Sequence, residues 1–173
     1  GNFKKVIHTF EKLEGKRPTG ELTLAPDGSF YGTASGGGTY GQGLLFRYTP
    51  TTGIYTILFH FGANSSIGST PMAGVTLASN GKLYGTTREG GTNNVGTLFC
   101  YDLSRDSLTT FHTFESINSS GYAPQAPFTE TKDGRLLIVT YSGGTSGAGA
   151  IYQIDTNSLN TTKIADFAGI GTT

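Results

Sequence analysis

An internal repeat with a period of 53 residues runs through this 173-residue chain. The same residue types recur at that interval in five independent places. They are the prolines Pro18, Pro71 and Pro124; the turn pairs Asp27-Gly28, Asn80-Gly81 and Asp133-Gly134; the glycines Gly43, Gly96 and Gly149; and two aromatic sets, Phe46, Phe99 and Tyr152, then Phe61, Phe114 and Phe167. A fixed register of this kind indicates one repeated structural unit. We therefore divide a single domain, residues 1–173, into repeats at about 11–61, 62–114 and 115–167.

Each repeat is predicted to form four β-strands, and the second repeat shows this most clearly. Its strands are predicted at residues 75–78, 82–87, 96–101 and 108–114. The Asn80-Gly81 pair between the first two predicts a type I′ hairpin, because both residues tolerate positive φ. In the third strand, large residues alternate between the two faces, as a sheet requires when its faces meet different surroundings.

Four strands in every 53 residues, with many glycines and no helical periodicity, predict an all-β fold of β-propeller blades. A β-sandwich seldom repeats in strict register and the coil of a β-solenoid is usually shorter, so both are less favoured. A copy of the fourth strand at residues 4–10 precedes the first repeat. The predicted architecture is three four-stranded antiparallel blades and one extra N-terminal strand.

The second repeat also resembles a known family. Its segments Leu-Tyr-Gly-Thr-Thr at 83–87, Gly-Gly at 90–91 and Gly-Thr-Leu-Phe at 96–99 are similar to the GloVer-type tandem repeat and, more distantly, to kelch repeats. The third repeat departs from this pattern, since Ile138 stands where a glycine would let another backbone come close. The resemblance implies a secreted or surface-displayed repeat protein, and it supplies no catalytic residues.

Composition and charge argue against several classes of partner. Lys and Arg together number 12, as do Asp and Glu, and a neutral chain offers no field to attract nucleic acid or anionic lipid. No apolar run reaches the length of about 18 residues that a membrane helix needs. Cys100 is the single cysteine, which excludes an internal disulfide bond.

Residues capable of catalysis or metal binding do not recur as a set. His8, His60 and His112 belong to different copies of the fourth strand, so we expect them to lie apart and to hold no metal. Asp27 and Asp133 belong to turns, where Asn80 replaces them in the second repeat. We therefore expect no cofactor and no catalytic centre. An enzyme with its site in the funnel of the ring is the least favoured alternative.

The leading functional hypothesis is a non-catalytic interaction or structural module outside the cell or on its surface. We expect its end blades to associate with protein, either as a homodimer that forms a six-bladed ring or with further blades of a longer chain. The alternative is a lectin-like propeller that binds glycans through its variable loops. Its candidate ligand-binding residues are Tyr40, Arg88, Asn93, Asn94 and Tyr141. Possible N-glycosylation sites are Asn64, Asn118 and Asn160.

Overall fold

The fold is described from a computed structural model over residues 6, 8–11, 13–115 and 121–168. In these residues, 13 β-strands form three antiparallel sheets, and the one helix is a 3-10 turn at Ser65–Ile67. The first sheet contains β1 (Thr23–Leu24), β2 (Phe30–Ala34), β3 (Leu44–Thr49) and β4 (Ile54–His60). The second contains β5 (Thr76–Leu77), β6 (Lys82–Thr87), β7 (Thr97–Asp102) and β8 (Ser107–Thr113). The third contains β9 (Gly121–Pro124), β10 (Thr129–Glu130), β11 (Leu136–Gly143), β12 (Ala150–Ile154) and β13 (Thr161–Asp166).

Each sheet is one blade, and its strands lie side by side in chain order. This confirms the predicted all-β fold of repeated antiparallel units. The third blade departs from the prediction, because β9 adds a fifth strand by pairing with the extended β11. In the first two blades the corresponding contact is a single bridge, Lys16 to Gly36 and Ser69 to Glu89. The third blade lengthens that bridge into a ladder.

The hairpin turns differ from the predicted type I′ geometry. Gly28, Gly81 and Gly134 do have positive φ, at 80°, 77° and 79°. The preceding Asp or Asn does not have positive φ, whereas a type I′ turn requires it at both central residues. In the first blade Gly28 N–H donates to the Ala25 carbonyl and Ala25 N–H donates to the Ser29 carbonyl, which defines a three-residue loop. A single left-handed glycine closes such a loop.

Two apolar clusters lie between the blades and form most of the core. The first joins the first and second blades through residues such as Leu45, Phe61 and Phe99. The second joins the second and third blades through residues such as Leu98, Phe114 and Tyr152. The five aromatic residues predicted to lie between sheets are all buried, as follows: Phe46, Phe61, Phe99, Phe114 and Tyr152. Four of them lie in the two clusters between blades, as predicted. Phe46 instead lies in a third cluster, packed against Phe10 and Tyr55.

The N-terminal copy of the fourth strand lies partly outside the described residues. Those of its residues that are described, 6 and 8–10, belong to none of the three sheets. Phe10 nevertheless packs on Phe46 with ring centroids 5.6 Å apart. Phe61 packs on Phe99 in the same way at 5.1 Å. Phe10 therefore has the same packing role on the first blade as Phe61 has on the second.

The expectation that a glycine in the second strand admits a neighbouring backbone is wrong. Gly32 and Gly85 face the aromatic ring of the adjacent strand of their own blade, Phe46 and Phe99 respectively. The glycine therefore makes room for a side chain within one blade. In the third blade Ile138 is paired with Tyr152, and both are buried.

Candidate functional site

The predicted ligand-binding residues are distributed over all three blades. Tyr40 lies in the β2–β3 loop of the first blade and Tyr141 lies in β11 of the third, where its side chain is 73% exposed. The other three lie in the β6–β7 loop: Arg88, Asn93 and Asn94. Two of these hold that loop, since Asn94 Oδ1 accepts from Gly90 N–H at 2.8 Å and Asn93 donates to a backbone carbonyl. Ligand binding by these five residues stays a prediction.

The possible glycosylation sites lie in exposed loops where they are described. Asn64 caps the 3-10 turn, because its Oδ1 accepts from the N–H groups of Ser66 and Ile67 at 3.1 and 3.2 Å. Asn160 is exposed between β12 and β13. Asn118 lies outside the described residues. Glycosylation of all three stays a prediction.

Threonine side chains tie each blade to the next near the innermost strands. Thr23 in the first blade donates to the Val75 carbonyl of the second. Thr76, its repeat equivalent, donates to the Phe128 carbonyl of the third at 2.9 Å. Thr33 also reaches across, to the Ala73 carbonyl at 2.6 Å. The hydroxyl groups on this side of the blades are therefore engaged in holding neighbouring sheets together.

A cavity of about 520 Å³ lies along these innermost strands. Its wall is formed by backbone and by uncharged side chains such as Thr19, Met72 and Gln125. Glu21 is the single ionisable side chain in the part of the wall that the structure describes.

A second cavity, of about 650 Å³, lies between the first and second blades at the end where the hairpin turns lie. We call it the inter-blade cavity. Its polar lining consists of the side chains of Asp27, Tyr31, Arg47, Ser79 and Glu130. Its apolar lining consists of Ala25, Pro26, Leu77, Ala78 and Leu103. Residues from all three blades therefore meet at this one site.

Arg47 is the cation of the inter-blade cavity. In the described part of the chain, no carboxylate oxygen lies within 4.0 Å of its guanidinium, and its buried Nε atom has no hydrogen-bond partner. The Arg47 guanidinium lies near the Tyr31 hydroxyl, and its positive charge favours the ionised phenol. Burial raises the pKa of Tyr31, and the nearby Asp27 carboxylate adds to the increase. Tyr31 therefore stays a neutral donor at physiological pH.

Tyr101 of the second blade lies near the same guanidinium. Its hydroxyl donates to the Asp106 carboxylate in the turn between β7 and β8. Burial, together with that carboxylate, raises the pKa of Tyr101, and the positive charge of Arg47 opposes the increase. The two phenols and the guanidinium thus form a polar cluster with a carboxylate at its edge.

The equivalent place between the second and third blades has a different lining. Tyr84 replaces Tyr31 there, and its hydroxyl accepts from Asn80 Nδ2 at 2.8 Å and donates to the Thr156 carbonyl at 3.4 Å. Burial raises the pKa of Tyr84 to about 12. Cys100 stands where the first blade has Arg47, and it is buried. A cavity of about 440 Å³ lies at this end too, lined by Asp133, Arg135 and Asp155 among others. What is specific to the first pair of blades is the arginine at the register position of Arg47.

Sequence reasoning did not identify this cavity. Arg47, Cys100 and Gln153 share one register position of the repeat, and from the sequence alone this variation indicates a half-exposed face. A charged residue at a position that is buried in the next repeat was the available signal. The contribution of Glu130 from the third blade carries no signal in the sequence.

The described residues contain neither a metal-binding cluster nor a membrane-spanning helix. No group of three or more His, Cys, Asp or Glu side chains there is arranged to hold a metal ion. Within the same ranges, no helix has the length and apolarity needed to cross a membrane.

The chain was compared with protein families and with curated proteins. The family model of the Gloeobacter/Verrucomicrobia repeat matches residues 1–173. The chain belongs to this repeat family. The match confirms the resemblance inferred from the second repeat, and it covers the divergent third repeat as well. The comparison with curated proteins finds no match.

Solved structures show the same fold. The crystal structure of TolB from Acinetobacter baumannii is similar with a TM-score of 0.56 and 18% identity, over 93% of this chain and 34% of TolB. The crystal structure of the tricorn protease is similar with a TM-score of 0.50 and 16% identity, over 87% of this chain and 13% of that protein. This chain therefore spans about a third of the length of TolB. The likeness to these structures shows a β-propeller type of fold alone.

Proposed function

We propose that this repeat module is a non-catalytic propeller segment that acts through its blade faces, with the outer face of the third blade binding a further blade of the same kind. The proposal extends to a location outside the cell or on its surface, as the leading sequence hypothesis expects. The partner is inferred from the exposure of the blade faces and the location from the family resemblance, and each is open to test.

The observation that carries this proposal is a difference in burial between equivalent residues. Thr33 of the first blade is 2% exposed because the second blade covers it, whereas Val139, its equivalent in the third blade, is 41% exposed. Phe61 is fully buried at 0%, whereas its equivalent Phe167 is 41% exposed. The third blade thus presents apolar positions that this repeat buries wherever another blade follows.

The opposite end of the segment is partly covered. Phe10 packs on Phe46 and Tyr55 of the first blade, and His8 stacks on Tyr55 with ring centroids 4.2 Å apart. A fourth strand of a preceding blade supplies this cover in the second and third blades, through Phe61 and Phe114. The two ends therefore differ, and a second copy docking on the first blade would have to displace Phe10.

The polar groups of the module also support a structural role. Its threonines donate across blades, and its turn carboxylates accept from backbone N–H groups. Asp102, for example, accepts from Ser104 N–H at 3.0 Å and lies 3.3 Å from Lys82 Nζ, and its pKa is lowered to about 2 chiefly by Ser104. Asp155 accepts from Asn157 and Ser158 in the equivalent turn. These groups stabilise loops.

Sedimentation of the purified chain tests the proposal. We expect concentration-dependent self-association through the third blade, and we expect Val139→Lys to shift the protein to monomer without changing its circular dichroism. Thr51→Lys, in the exposed β3–β4 turn, is the matched control and should associate like the unmodified chain. A wild-type chain that stays monomeric up to about 1 mM, where weak association becomes visible, would contradict the proposal. Association that Val139→Lys leaves unchanged would contradict the choice of face.

A further inference from the structure

We infer that the inter-blade cavity binds a neutral saccharide unit, held by the Arg47 guanidinium and by the carboxylates of Asp27 and Glu130. This inference goes beyond the proposed function. The cavity lies between the first and second blades, so its ligand does not depend on what covers the third.

Arg47 is a cation that the packing of the repeat does not require. Its equivalents are Cys100 and Gln153, and both fit the same register position without a charge. A guanidinium that is partly removed from water without an ion pair is costly, and a buried donor without a partner adds to that cost. A ligand oxygen at the terminal guanidinium nitrogens would offset the part of this cost that comes from the unpaired charge.

The carboxylates of the lining indicate whether the ligand oxygen at Arg47 belongs to an anion or to a neutral hydroxyl group. Glu130 accepts from Ser79 N–H at 3.0 Å and from Ser79 Oγ at 2.6 Å, and Asp27 accepts from Ser29 N–H at 2.9 Å. Each carboxylate has about four acceptor sites, so both retain capacity for a further donor. With one cationic and two anionic side chains, the lining disfavours a free anion.

A ligand hydroxyl satisfies both kinds of group, because it accepts from a guanidinium and donates to a carboxylate at once. The tyrosine hydroxyl of Tyr31 lies beside Arg47 and supplies another polar contact. Leu77 and Leu103 line the same cavity and offer an apolar surface for the C–H face of a sugar ring. The volume of about 650 Å³ lies within the range of small-molecule sites and suits one or two sugar units.

Titration followed by ¹H–¹⁵N NMR on the intact chain tests the inference. The probes are methyl α-D-glucopyranoside, methyl α-D-mannopyranoside and methyl β-D-galactopyranoside, each added in turn. We expect at least one to bind and to shift the backbone resonances of Ser79 and Leu103 together with the side-chain resonance of Arg47. Arg47→Gln, which introduces the residue found in the third repeat, should weaken binding at least about tenfold. Arg17→Gln removes the same charge from an exposed position outside the cavity and should bind like the unmodified chain.

Three outcomes would overturn the inference. One is the absence of any shift with all three glycosides up to about 100 mM, which is beyond millimolar affinity. Another is equal weakening by Arg47→Gln and Arg17→Gln. The last is binding of acetate or glucuronate more tightly than every neutral glycoside, which would make the cavity an anion site. Circular dichroism of Arg47→Gln separates loss of binding from loss of fold. Val139→Lys should keep sugar binding intact whichever way the association experiment turns out.

Discussion

The ring of Phe99 lies so close to Gly85 on the neighbouring strand that a Cβ atom built at position 85 would meet Phe99 Cζ at 2.2 Å. The two residues are directly paired between β6 and β7. Gly32 and Phe46 repeat the arrangement in the first blade, where the corresponding distance is 2.6 Å. Glycine is needed at this position because the aromatic ring occupies the space where a side chain would lie. The ring in turn covers the backbone that the glycine exposes.

The Gly85–Phe99 contact predicts a strongly coupled pair of substitutions. Phe99→Ala should lower the free energy of unfolding by about 3–5 kcal/mol, the usual cost of truncating a buried aromatic residue. Gly85→Ala should cost about 1–3 kcal/mol through overpacking against the ring. The double variant should cost clearly less than the sum, because the methyl group added at position 85 then enters space that the ring has vacated. Urea denaturation of the four proteins measures this, and additive costs would show that the ring is not what excludes a side chain at position 85.

The hairpin glycines predict a loss of stability that comes from the backbone alone. Gly81 has φ of 77°, and a Cβ atom there would meet nothing within 4 Å. Gly81→Val should therefore destabilise by about 1–3 kcal/mol through strain at positive φ. Gly81→Asn should cost less, since asparagine tolerates this region best among the other residues. Equal thermal unfolding of the two variants would contradict this origin of the effect.

The threonine hydrogen bonds between blades can be tested at two equivalent positions of one chain, one bonded to the next blade and one exposed. Thr76→Val should lower the free energy of unfolding by about 1–2 kcal/mol, because it removes a hydrogen bond at 2.9 Å and leaves the Phe128 carbonyl without that donor. Thr129 is its equivalent in the third blade and is exposed. Thr129→Val in the monomeric Val139→Lys background should change stability little. A loss as large as that from Thr76→Val would mean that the hydroxyl matters within a blade rather than between blades.

His112 predicts a dependence of stability on pH. It packs against Phe114 and Tyr152 with ring centroids 4.7 and 5.8 Å away, and burial lowers its pKa below the ordinary 6.5, while Glu115 opposes the shift. The unfolded chain therefore binds this proton more readily than the folded chain, so stability falls as the pH drops below about 6.5.

The first repeat supplies the control for His112, because Phe59 occupies the equivalent position. His112→Phe should preserve the packing and reduce the loss of stability between about pH 7 and pH 5. Thermal melts of both proteins across that range make the comparison. A variant whose melting temperature falls with pH as steeply as that of the unmodified chain would assign the dependence to other groups.

The strands, the blades and the interface between them could be predicted from the sequence because the residues that form them recur three times in the same register. Phe46, Phe99 and Tyr152 illustrate this: a position that stays aromatic in every repeat lies in the same buried place each time. The turn type could not be read in this way, since a dipeptide such as Asn80-Gly81 is compatible with loops of two or three residues. Only the hydrogen bonds across the hairpin distinguish them.

The inter-blade cavity lies beyond sequence reasoning for a different reason. Repeat analysis finds what recurs, whereas Arg47 matters because it does not recur at its position. Glu130 reaches the cavity from the third blade and bonds to Ser79 of the second. That contact depends on how neighbouring blades are inclined to one another, which no periodicity encodes.

The threonine hydrogen bonds between blades all run in the same direction along the chain. Thr23 and Thr76 each donate from an earlier blade to a later one, so the front of one blade meets the back of the next and no surface meets its own copy. Such a heterologous contact has two possible fates: it closes into a ring when the rotation per step divides a full turn, and otherwise it continues without end. The rotation from one blade to the next is thus the quantity that separates a closed particle from a growing filament.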